Sequence, residues 1–208
     1  MRLGIFGGTF DPVHYGHLLL AECCREQCRL DYVWFVPADI PPHKQQRPLT
    51  PGRQRVEMLE LAISGQSAFS VSRLELDRGG VSYTVDTLAQ IHEQDPGREL
   101  FLLLGADSLL DLPHWKEPGR ICELATLAVV GRAGQGLGDS LAGDFAAAAA
   151  QAGWGRTNAL RIQHVEMPLM ELSSSDLRHR AATGASLRYR TPRAVEKTIE
   201  TAGLYRPS

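Results

Sequence analysis

Gly7-Gly8-Thr9-Phe10-Asp11-Pro12-Val13-His14-Tyr15-Gly16-His17 decides how the rest of the chain is read. The apolar run Leu3 to Phe6 before it reads as a buried first strand. The apolar-rich segment Leu18 to Cys28 after it reads as a helix. Strand, glycine-rich turn and helix form the opening half of a βαβ unit. Glycines let the backbone approach a ligand closely, and a helix start offers unpaired N–H groups at the positive end of a dipole, so the turn suits a phosphate. His14 and His17 are three residues apart and share a face if this part is helical. A Gly-Gly turn alone is more often structural than functional, but the full string is far more specific. The chain contains neither a GxGxxG dinucleotide fingerprint nor a GxxxxGK[ST] P-loop.

Working outward, 208 residues suit one α/β domain with modest elaborations, and 43% hydrophobic residues suffice for a core. A formal charge of −2 gives no basic footprint for a nucleic-acid polymer. No apolar run reaches the length of a membrane span, and the N-terminus lacks a signal-peptide core, so the expectation is a cytoplasmic protein. Cys24 and Cys28 are four apart on the first predicted helix, where a two-thiolate metal clip is geometrically possible. No second ligand pair has zinc-site spacing, and reduced, neutral thiols at Cys23, Cys24, Cys28 and Cys122 are the preferred reading.

Along the chain, Tyr32 to Val36 is the second predicted strand. It ends in the stiff loop Pro37-Ala38-Asp39-Ile40-Pro41-Pro42-His43-Lys44, which leaves the carboxyl end of the strand, where open α/β sheets bind ligands. Thr50 is the expected N-cap of a helix running to about Ile63, with Val56, Leu59, Ala62 and Ile63 on its apolar face. Arg53 and Arg55 are expected on its outer or ligand-facing side. Phe69 to Leu76 reads as a β segment and Asp77 to Gly80 as a turn. Ser82 or Thr84 is the expected cap of a helix from Val85 to about Glu93. Leu100 to Leu104 is the clearest buried strand, delivering Asp107 to the same edge as the first turn. A helix from Ile121, strands Thr126 to Val130 and Leu160 to Val165, a helix opening at Ser173-Ser174-Ser175-Asp176-Leu177-Arg178 and a last helix from about Pro192 to Ala202 complete it. The glycine-rich stretch Gly134 to Gly138, the alanine run Asp144 to Ala152 and a loop from Gly153 to Asn158 carry no recognised chemistry. The alternation predicts a doubly wound parallel sheet with helices on both faces.

The motifs GTFDPVHYGH, PPHK, ELDRGGVSYTVDTL, FLLLGADS, LPHW and SSSDLR occur in an order that resembles the nicotinate-mononucleotide adenylyltransferases, members of the HxGH nucleotidyltransferases with a Rossmann-like core. The middle block separates this family from the phosphopantetheine adenylyltransferases and cytidylyltransferases. The late motif departs from the family's ISSTxxR, with Ser175 in place of threonine.

The resemblance implies one nucleotidyltransferase domain over residues 1–208, whose helical C-terminal portion from about residue 173 carries SSSDLR. It implies ATP and nicotinate mononucleotide as substrates. The alternatives are another acceptor, such as nicotinamide mononucleotide or phosphopantetheine, or a regulator that binds nucleotides without turnover. His14, His17, Lys44 and Arg178 are expected to act on the reacting phosphates. Gly7, Gly8, Thr9, Phe10, His43, Gly105, Asp107, Ser174 and Ser175 are expected to complete the ATP site. Gly8, Thr9, Tyr83, Thr84 and Trp115 are expected to bind the mononucleotide, and Asp11 to order the turn. Mg²⁺ is expected on phosphate oxygens and waters rather than in an all-protein cage. A homo-oligomer is left open.

Overall fold

The computed structural model describes residues 1–42, 49–132, 143, 145, 147–150 and 160–206. His43, Lys44, the glycine-rich 134–138 stretch, residues 144, 146, 151 and 152 of the alanine run and the 153–158 loop lie outside these residues.

Six strands form one parallel sheet: β1 (Arg2–Gly8), β2 (Tyr32–Pro37), β3 (Phe69–Val71), β4 (Glu99–Gly105), β5 (Ala125–Arg132) and β6 (Ile162–Met167). Their spatial order is β3-β2-β1-β4-β5-β6, the doubly wound order in which the chain reverses direction between β1 and β4. Side chains alternate across the sheet as the strand period of two requires. Leu3, Ile5, Leu100, Leu102, Leu104, Leu127 and Val129 pack into the core on one face. Phe6, Val33, Phe35, Phe101, Leu103, Ala128 and Val130 pack into the core on the other. The continuous apolar runs at Leu100 to Leu104 and Leu127 to Val130 follow from burial on both sides.

The second of these faces is covered by α1 (Tyr15–Gln27), α2 (Gly52–Ile63), α7 (Ser174–Ala182) and α8 (Arg193–Thr201), through Ala21, Cys24, Met58, Leu59, Leu177, Val195 and Ile199. The first is covered by α4 (Thr84–Gln94), α5 (Ala106–Asp111) and α6 (Pro118–Leu124), through Val85, Leu88, Ile91, Leu109 and Ile121. The short α3 (Leu74–Arg78) precedes α4.

The local assignments need four corrections. The segment Phe69 to Leu76 is not one strand: β3 ends at Val71, and Leu74 onward coils into α3. Its apolar alternation is ambiguous, and Glu75, 6% exposed, is drawn inward by a 2.6 Å hydrogen bond from the Thr87 hydroxyl. The N-cap of α2 is Pro51, not Thr50, and that of α4 is Tyr83, not Ser82 or Thr84. The Ser82 hydroxyl instead accepts from the Asp39 N–H at 2.9 Å. Arg55 lies neither outward nor toward a ligand but is buried, 1% exposed. The cysteines are free, and burial pushes the Cys28 and Cys122 thiols up to about 11, so they stay protonated.

Candidate active site

The sheet opens at its switch point. β1 pairs with β2 along its length, from Leu3 opposite Tyr32 to Gly8 opposite Pro37. β4 likewise pairs with β5 as far as Gly105 opposite Val130. Between β1 and β4, however, pairing runs only from Arg2 opposite Glu99 to Ile5 opposite Leu102. Beyond Ile5 the two central strands part. The signature turn forms one lip of the crevice and Gly105-Ala106-Asp107 the other, where α/β sheets of this kind hold ligands. Asp107 is exposed in the first turn of α5.

Helix α1 starts three residues earlier than Leu18, which makes His14 its N-cap. Both histidines therefore sit at the positive end of α1, where an anion is favoured. Their rings stack with centroids 3.7 Å apart. The His14 N–H donates to His17 Nδ1 at 3.2 Å, which puts the ring proton of neutral His17 on Nε2. His14 is 5% exposed, and burial pushes its pKa down from 6.5 to about 4, so it is a neutral imidazole at pH 7. Gly16 keeps His14 in place: a Cβ there would stand 3.0 Å from His14 Nδ1. Phe10, at φ +49°, turns its ring into the core against Phe6, Phe35 and His17. Being 1% exposed, it can offer a ligand only its backbone, which narrows the role expected for it. A Cβ on Gly8 would meet that ring at 3.0 Å.

The carbonyls of this turn belong to no sheet ladder, and side chains from distant elements take them up. Arg55 Nη1 donates to the Thr9 carbonyl at 2.9 Å. Arg178 Nη1 donates to that of Asp11 at 2.6 Å, and the Ser174 hydroxyl to that of Pro12 at 2.8 Å. The Thr191 hydroxyl donates to the Val13 carbonyl at 2.7 Å. The late motif thus reaches the signature turn, where Arg178 and Ser174 carry a structural duty. Arg178 Nη2 also donates to the Ser175 hydroxyl at 2.8 Å. A cleft of about 440 Å³ lies among Asp11, Thr50, Ser175, Arg178, His179 and Tyr205.

Across the sheet, a second cleft of about 150 Å³ brings Tyr83, Thr84 and Trp115 together with Pro42 and Lys116. The segment after β2 is tied to it. Ile40 and Val81 form a β-bridge, and Gly80 N–H donates to Asp39 Oδ2 at 2.9 Å. Trp115 is oriented by its indole N–H, which donates to Asp111 Oδ2 at 2.9 Å. Lys116 Nζ sits 4.8 Å from the Tyr83 ring centroid and 3.0 Å from Asp86 Oδ1. Within the block ELDRGGVSYTVDTL, Glu75, Arg78 and Thr87 are scaffold: Arg78 Nη2 donates to the Thr87 hydroxyl at 3.0 Å, fastening α3 to α4.

Sequence reasoning missed Arg55, Thr191 and Tyr205. Arg55 had a legible signal, because it lies on the 55–59–63 stripe that also carries Leu59 and Ile63, and a charge on an apolar stripe calls for a partner. Thr191 and Tyr205 had none, since their partners lie more than 170 residues away in the chain.

The Cytidylyltransferase-like family model matches residues 5–180. The chain is 45% identical over 205 residues to a Thermomicrobium roseum protein named "Probable nicotinate-nucleotide adenylyltransferase", covering 99% of this chain and 92% of that one. A Thermus thermophilus protein of the same name is 44% identical, covering 99% and 100%. The chain belongs to the nicotinate-nucleotide adenylyltransferase family. Its fold is shared with the Plasmodium falciparum nicotinic acid mononucleotide adenylyltransferase solved with NaAD, at a TM-score of 0.78 and 18% identity over 98% of this chain and 97% of that one. Nucleotidyltransferases of this kind use a divalent metal with ATP. Among the described residues no group of three or more His, Cys, Asp or Glu side chains is placed to hold a metal ion, and no helix is long and apolar enough to cross a membrane.

Proposed function

We propose that the protein transfers the AMP moiety of ATP to nicotinate mononucleotide, giving nicotinate adenine dinucleotide and pyrophosphate in NAD biosynthesis. The parting of β1 from β4, with the histidine pair on one lip and a cleft on either side, carries the reading. Full-length kinship with proteins named for this activity supports it.

An oxygen of the mononucleotide phosphate attacks the α-phosphorus of ATP. The new P–O bond forms as the bond from that phosphorus to the bridging oxygen breaks, and pyrophosphate leaves with the electron pair. The nucleophile is already anionic, so no side chain needs to deprotonate it and no covalent enzyme intermediate arises. The work is positioning and charge stabilisation. His17, donating from Nε2, is assigned to the α-phosphate, with His14 beside it as a neutral hydrogen-bonding group. Gly7, Gly8, Thr9 and Phe10 contribute backbone. Ser174, Ser175 and Arg178 serve ATP phosphate, with His43 and Lys44 assigned by the same resemblance, and Gly105 and Asp107 serve the ribose. Tyr83, Thr84 and Trp115 hold the pyridine ring. Mg²⁺, held by phosphate oxygens and waters, supplies charge neutralisation on the triphosphate. The whole chain is read as one nucleotidyltransferase domain, and dependence on ATP fits a cytoplasmic place.

The start of α4 at Thr84 explains a preference for the acid. Helix-start N–H groups donate to both oxygens of a carboxylate, whereas a carboxamide turns an NH₂ donor toward one of them. An unsatisfied buried donor costs about 1–3 kcal/mol, and with the lost charge-assisted bond the expected discrimination is roughly 10²-fold or more. Pyrophosphate release is measured with ATP, Mg²⁺ and nicotinate mononucleotide, nicotinamide mononucleotide or phosphopantetheine in turn. The acid should win in kcat/KM. A ratio of acid to amide within tenfold rejects the helix-start account, and binding of both substrates without pyrophosphate release rejects catalysis altogether.

A further inference from the structure

Arg55 is the largest fully buried side chain among the described residues. Burial lowers its pKa, and Asp11, Asp39 and Tyr205 act in the opposite direction. Its guanidinium spans two segments: Nε donates to the Thr50 carbonyl at 2.8 Å and Nη1 to the Thr9 carbonyl at 2.9 Å. Asp11, 3% exposed, accepts the Tyr205 phenol at 2.6 Å on Oδ1 and the Thr50 N–H at 3.4 Å on Oδ2. Burial, and then the bond to Asp11, hold the Tyr205 hydroxyl well above its ordinary pKa, so it remains a donor. A guanidinium is costly to desolvate, and packing under α2 alone would be met by leucine or methionine.

We propose that Arg55, Asp11 and Tyr205 are positioning residues for the phosphate chemistry. They lock the Thr9–His14 backbone behind the crevice, so that His14 and His17 present one fixed geometry to the reacting phosphate. The coupling is direct. The main chain at His14 donates to the His17 ring, so whatever sets the backbone at residues 9 to 14 sets the ring. A displacement of about 1 Å in such a group costs on the order of 10²-fold in rate. Lysine at position 55 keeps a charge but loses the planar fork that reaches both carbonyls. Asparagine at position 11 still accepts from Tyr205 but loses the charge facing the guanidinium. The inference rests on the adenylyl-transfer reading for its rate effects, but not for its structural effects.

Arg55→Lys, Asp11→Asn and Tyr205→Phe are compared with wild type in kcat, in KM for each substrate and in thermal melting, with kcat expressed per folded molecule. The expected result is a kcat loss of roughly 10- to 100-fold for Arg55→Lys and Asp11→Asn, with both KM values little changed. The double variant Asp11→Asn/Tyr205→Phe should lose less than the product of the single losses, because the residues act as a unit. Lowered melting temperatures with full kcat per folded molecule would show a purely structural role and overturn the proposal. Imidazole ¹H–¹⁵N spectra provide a reading independent of turnover. The His14 and His17 ring signals should shift in Arg55→Lys, or in Tyr205→Phe should the former not fold, and unchanged signals overturn the proposal. Wild-type protein that releases no pyrophosphate would sink the adenylyl-transfer reading, and the spectra alone would then decide the positioning claim.

Discussion

His14 and His17 share one turn of one helix, yet their surroundings give them different work. His17, half-buried and bonded through Nδ1, points its remaining nitrogen away from the His14 backbone. As a preorganised donor to developing charge, its removal in His17→Ala should cut kcat by roughly 10²–10³ while leaving mononucleotide affinity nearly intact. A kcat near wild type would remove it from the chemistry. His14 is buried and neutral, which makes it a liability in acid. Its folded pKa of about 4 lies below the unfolded 6.5. Between those values the unfolded chain binds a proton that the folded chain refuses, so stability falls as pH drops through this window and is unaffected above it. The limiting loss is about 3 kcal/mol at 1.36 kcal/mol per unit. Urea midpoints of wild type and His14→Asn should therefore run parallel above pH 6.5, and wild type should fall more steeply below it. Equal slopes between pH 6.5 and 4 would refute the desolvation account. The sequence placed both rings in one turn. It could not show which would be buried, because burial of His14 depends on tertiary packing around the turn.

At the scale of the element, the three serines before Leu177 divide the labour. Ser173 is the N-cap of α7, its hydroxyl accepting the Asp176 N–H at 3.1 Å. Ser174 reaches the Pro12 carbonyl, and Ser175 braces Arg178. A serine run read alone suggests a cap, which holds for the first residue and undersells the other two. Ser173→Ala should cost about 1 kcal/mol of stability and leave kcat unchanged. For a protein of this size that is roughly 2–4 °C in melting temperature. A loss of activity without a loss of stability would move Ser173 into the ATP site. Short apolar runs served well for β1, β2, β4 and β5, which are buried on both faces. They failed at Phe69 to Leu76, where the fate of Leu74 to Leu76 is set by the bond from Thr87 to Glu75 and not by local pattern.

At the scale of the molecule, the sheet separates two clefts. Helix α7, which carries the late motif, and α8 lie on one face with α1 and α2, and the Tyr83–Trp115 cleft belongs to the α4–α6 face. The switch point brings the two faces together at the β1–β4 crevice, so under the proposed assignments each substrate would be held mainly from its own side. Arg178→Lys loses a planar fork at the ATP side and should raise KM for ATP. Trp115→Ala should raise KM for the mononucleotide through lost stacking, typically about 0.5–1.5 kcal/mol. Arg178 is bonded to the Asp11 carbonyl and Ser175, and Trp115 to Asp111, on opposite faces of the sheet. Their effects on the free energy of kcat/KM should therefore add to within about 0.3–0.5 kcal/mol in the double variant. The measurement is a double-mutant cycle with both substrates varied. An interaction energy above about 1 kcal/mol would mean that the two clefts respond to each other through the sheet. The division of substrates by face would then give way to a single site that spans it.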